Sequence, residues 1–164
     1  MAITSYTSYD EVRAVLGVST DELEDSTLAL ALYDYGLQAE LKDIGPGLPA
    51  DFAIVSAIAE GSRTTAEQWF FQNTKLFAAY AVAKQLGTAL PLFGPKDISD
   101  GKATVSRFAD SPYREVLKRV EREYGAAKTR LESAYAQYNS SSNTPVSRNY
   151  LMASSLSTDP VTGA

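Results

Sequence analysis

The sequence predicts a mainly α protein: a helical bundle of four to five helices with a long C-terminal helix, a small hairpin near 95–108 and an extended C-terminal tail. Three observations carry this reading. From Ser111 to Tyr138 apolar residues return at steps of three and four, the spacing of one helix face. From Thr65 to Leu86 the chain is rich in aromatic and aliphatic residues on all sides, as befits a central buried helix. After Tyr138 the composition changes to NSSSNTPVSRNYLMASSLSTDPVTGA, too polar to build a core. Two units follow, a helical domain over 1–138 and an extended arm over 139–164.

The elements follow in order. Ser8 and Glu11 form the S-x-x-E capping box, in which each side chain satisfies a free amide at the helix start. Val12, Val15 and Leu16 give this first helix an apolar edge, and Gly17 suits a left-handed terminator. A second helix is predicted from a cap at Asp25 or Ser26 to about Asp43. Its stripe is Leu30, Tyr33, Leu37, Leu41 and Ile44, widened by Leu28, Leu32 and Tyr35. The prolines and glycines of GPGLP end it. A short third helix is expected over 51–60. Thr64 or Thr65, with Glu67 or Gln68, caps the fourth, which ends at Gly87. Trp69, Phe70, Leu76, Phe77 and Tyr80 line one side of it, and Phe71, Ala78, Val82 and Leu86 the other. The segment that follows is irregular, with Asp100-Gly101 as a turn pair for the hairpin. Ser111-Pro112 opens the fifth helix. Its seam is Leu117, Val120, Tyr124, Ala127, Leu131, Ala134 and Tyr138. The two alanines favour packing on the parent domain or a neighbouring copy over a free-standing zipper.

Composition narrows the function. The chain has 164 residues, no cysteine and no histidine. Disulfides, thiolate nucleophiles and Cys-based metal sites are excluded, and the usual general base near neutral pH is missing. No apolar run approaches the length of a membrane span, and the N-terminus lacks the pattern of a signal peptide. The net charge of −5 is uneven. Residues 1–60 hold eleven acids against Arg13 and Lys42, while residues 61–164 hold thirteen bases against nine acids. Two solvated faces account for this. So does a subunit whose acidic side meets the basic side of the next copy, a head-to-tail contact that closes into a ring when the rotation permits.

No motif rises to a catalytic signature. Gly45-Pro46-Gly47-Leu48-Pro49-Ala50 follows a helix, and its prolines remove amides that a phosphate would need. Ser99-Asp100-Gly101-Lys102 reads as a turn, not as a helix-borne S-x-x-K. Asp21, Glu22, Glu24 and Asp25 lack the alternation and distal Glu of a calcium loop, and complement a helix start instead. The stretch from Asp97 has Phe108 where that loop needs its Glu. Asn139-Ser140-Ser141 is a glycosylation sequon without a secretory context. On the last helix, Arg114, Lys118, Arg119, Arg122, Lys128 and Arg130 alternate with glutamates, the pattern of an ion-paired exposed face rather than a nucleic-acid stripe. No cofactor or metal is expected.

The arm is the place where a partner is expected. Ordering the 26 residues of 139–164 costs on the order of 25 kcal/mol in backbone entropy. Burial of roughly 1,000 Å² of apolar surface would offset that at about 25 cal/mol per Å². Val146, Tyr150, Leu151, Met152 and Leu156 are the candidate interface side chains, and 145–157 is expected to contact another polypeptide, with strand addition one route.

Three stretches together carry a family resemblance: SYDEVRAVLGVSTDELEDSTLAL near the start, the aromatic-rich central helix, and PLFGPKDISDGKATVSRF before the long last helix and polar tail. Over roughly residues 5–138 the chain resembles the head–tail connector, or adaptor, proteins of tailed bacteriophages. The resemblance implies a homo-oligomeric ring, commonly of twelve copies, in the virion neck at the portal vertex, made in the bacterial host cytoplasm. Its implied partners are the portal protein and a tail or neck protein, with DNA a non-specific passenger in the channel and no membrane involved. It implies no enzymatic activity. On that basis Asp21, Glu22, Glu24 and Asp25 are candidates for lining or rimming the channel, where negative charge keeps DNA from sticking. A tail-completion or decoration protein and a cytoplasmic helical protein-binding module are the competing expectations, followed by an enzyme built on carboxylates or lysine.

Overall fold

The computed structural model describes residues 2–87, 97–99, 104–106 and 112–142. It is mainly α. Among the described residues there are six helices: α1 (Tyr9–Leu16), α2 (Asp25–Leu28), α3 (Ala31–Ile44), α4 (Leu48–Ala57), α5 (Thr65–Gly87) and α6 (Pro112–Ser142). Short 3-10 turns stand at Ile3–Ser5 and Glu60–Ser62. Two three-residue strands, β1 (Asp97–Ser99) and β2 (Thr104–Ser106), pair antiparallel, with Asp97 opposite Ser106 and Ile98 opposite Val105. The expected hairpin is therefore present. Its register leaves four residues between the strands, where a two-residue Asp100-Gly101 turn would pair Ser99 with residue 102.

Helix α5 is the centre. Phe70, Phe77, Ala78, Ala81, Val82 and Leu86 are all buried on it, which accounts for its apolar character on several sides. Helix α6 runs antiparallel beside it. Leu117 lies against Gly87, Tyr124 against Phe77, and Tyr135 and Tyr138 against Phe70. Val120, Ala127, Leu131 and Ala134 are buried along the contact, so the expected seam packs on its own domain. The small alanines let the two backbones approach while the tyrosines fill the gaps between them.

The aromatic core continues into the N-terminal half. Tyr6 stacks on Phe52 at 4.9 Å between centroids, and Phe52 stacks on Phe71 at 5.3 Å. The Arg63 guanidinium covers the outer face of Phe71 at 3.9 Å and donates to the Val55 carbonyl, closing the end of α4. The backbone N–H of Ile3 donates to Asp34 at 2.7 Å, and Gln38 donates to the Tyr6 hydroxyl at 3.1 Å, tying the N-terminal segment to α3.

The local signals hold at both ends of α1 and at the start of α5. The Ser8–Glu11 box is complete and Gly17 is left-handed at φ 73°. Thr64 and Glu67 exchange the same bonds before α5, with Thr64 N–H to Glu67 at 2.7 Å and Glu67 N–H to Thr64 at 3.3 Å.

Three boundaries differ from expectation. The second helix is two, α2 and α3, because Leu30 takes extended backbone at ψ 127°. Asp25 is the first residue of α2 rather than its cap, and Glu24 stands at the cap position without a side-chain bond to the helix. The third helix begins at Leu48 and ends at Ala57, since Pro49 fits a first helical turn that needs no N–H from it. The last helix runs on to Ser142, beyond the expected end at Tyr138. There the Ser140 and Ser141 hydroxyls donate to the carbonyl of Gln137, and Ser141 also to that of Tyr138, bonding back onto the preceding turn of the helix.

Candidate assembly surface

The acidic stretch after α1 is held by a buried arginine. Arg13 has a side chain only 6% exposed. It donates from Nε to the Leu23 carbonyl at 2.8 Å and to Asp10 at 3.0 Å, and it pairs with Asp25. Glu22 accepts from the Ser19 backbone N–H at 2.9 Å, and Glu24 from the Ser26 hydroxyl at 3.0 Å. So two of the four candidate channel acids cap or brace neighbouring turns and a third neutralises the buried guanidinium. All four are solvent-exposed. The five arm residues Val146, Tyr150, Leu151, Met152 and Leu156 lie outside the described residues.

The surface carries apolar side chains that the stripe on α3 would have buried. Leu37 and Leu41 are buried as expected, but Leu30 is 52%, Leu32 70% and Tyr35 72% exposed. These three form a ridge at the α2–α3 corner. One signal for it was in the sequence. Leu28, Leu30 and Leu32 are two residues apart, and on a helix such neighbours point to opposite faces. The break at Leu30 lets Leu28 enter the core and turns the other two outward.

A second apolar feature lies where α1 crosses α5. Ala14, Val15, Leu76, Ala79 and Tyr80 line a groove of about 380 Å³, with the Lys75–Glu11 ion pair (3.6 Å) at its rim. It continues past Val15 and Tyr80 into a second hollow of about 440 Å³ bounded by Arg119 and Glu123 of α6. Arg119 also donates to the Val15 carbonyl at 3.2 Å, pinning the end of α1 to α6. The groove was not foreseen, because it arises from the crossing of helices distant in sequence.

Helix α3 passes α5 at Gln85, where Gly36 leaves room for its side chain. Leu76, in the groove, is nine residues from Gln85, two and a half turns at about 3.6 residues per turn. The two side chains therefore leave α5 in opposite directions.

Among the described residues no group of His, Cys, Asp or Glu is placed to hold a metal ion, and no helix is long and apolar enough to cross a membrane. No protein-family model matches this chain, and neither the curated proteins nor the solved structures contain a match to it.

Proposed function

We propose that this chain is a structural subunit: a ring-forming head-to-tail adaptor of a tailed bacteriophage that links the portal to the tail and extends the DNA channel. The observation that carries the reading is the solvent exposure of Leu30, Leu32 and Tyr35, three large apolar side chains close together in sequence on the folded domain. Large apolar side chains grouped on a folded surface mark a site that another protein covers. The resemblance of residues 5–138 to the adaptor family names the assembly, and the split of acidic and basic residues suits contacts between identical copies. In this reading Asp21, Glu22, Glu24 and Asp25 face or rim the lumen, and the arm 139–164 reaches the portal or a neighbouring subunit.

The test is native mass spectrometry and negative-stain electron microscopy of the full chain across a wide concentration range. The expected result is a closed ring with a central channel, of twelve copies, that does not retain duplex DNA at physiological salt. A chain that stays monomeric or dimeric throughout overturns the reading and favours a protein-binding module instead.

A further inference from the structure

We draw no further inference here: the strongest candidate, the apolar groove where α1 crosses α5, has a charged rim that pairs with itself through Lys75 and Glu11, and nothing in the structure shows what covers it.

Discussion

The Tyr135 hydroxyl donates a 2.7 Å hydrogen bond to Asp51 Oδ2, joining the last helix to the first turn of α4 across 84 residues of sequence. Both side chains are partly shielded, so the bond is more than a surface contact. Tyr135→Phe keeps the ring packed on Phe70 and removes the donor. The expected loss is about 1 kcal/mol in urea denaturation, the ordinary net worth of such a bond. A variant as stable as the parent would mean that water replaces the tyrosine without cost.

Two glycines are expected to respond to alanine with opposite signs. At Gly45 an added Cβ would collide with the ring of Tyr135, which is pinned by Asp51 and by Phe70. Gly45→Ala should therefore destabilise by about 1–3 kcal/mol, the range for overpacking. At Gly125, inside α6, an added Cβ meets nothing within 4 Å. Gly125→Ala should stabilise by roughly 0.5–1 kcal/mol, because alanine loses less backbone entropy on entering a helix. Thermal melts of the two variants against the parent decide both.

Glu11 serves three partners at once. Its carboxylate accepts from the Thr7 hydroxyl at 2.6 Å and from the Ser8 backbone N–H at 2.9 Å, and it faces Lys75 at 3.6 Å. The Thr7 bond first, then the Ser8 amide, hold its pKa below the usual 4.5. A carboxyl lowered by folding contributes stability that is present above pH 4.5 and lost as the pH falls through the folded value. Glu11→Gln should cost about 1 kcal/mol at neutral pH, as for loss of a capping partner. The difference from the parent should shrink on acidification. An equal difference at neutral and acid pH would assign the effect to shape rather than charge.

How far the fold was legible follows from which interactions are local. The Ser8–Glu11 and Thr64–Glu67 boxes and the left-handed Gly17 are decided within one turn of chain, and the sequence showed each of them. The α6 seam was legible for a related reason, since its face is set by period alone and Val120, Leu131 and Ala134 are buried. The corner at Ala29–Leu30 was not. The stripe Leu30, Tyr33, Leu37, Leu41 and Ile44 keeps the helical period through that corner, but the N-terminal segment docks on α3 through Ile3 and Asp34, and that contact is distant in sequence. The groove was invisible for the same reason. Ala14 and Ala79 look like ordinary small helix residues until α1 crosses α5. The ridge was half legible, since the two-residue spacing of Leu28, Leu30 and Leu32 does not fit one helix face.

Tyr124 links three helices and should give the protein an alkaline signature. Its ring packs on Phe77 of α5, the Lys84 ammonium sits 3.9 Å over it, and its hydroxyl bonds to Glu40 of α3. Burial, followed by the negative charge of Glu40 and then of Asp43 and Glu132, pushes its pKa from 10.0 up to about 12. A phenol raised in this way favours the folded state in its protonated form. Its contribution is whole below pH 10 and is lost as the pH rises toward 12. With partial solvent screening this amounts to about 1 kcal/mol. Tyr6, Tyr135 and Tyr138 shift in the same direction, so the unmodified chain alone cannot isolate one residue. The difference between parent and Tyr124→Phe can. Tyrosinate absorbance of the folded parent should show one late-titrating phenol that the variant lacks, and the parent should lose stability faster than the variant above pH 10. Equal alkaline slopes for the two proteins would mean that Glu40 does not hold this hydroxyl in the folded state.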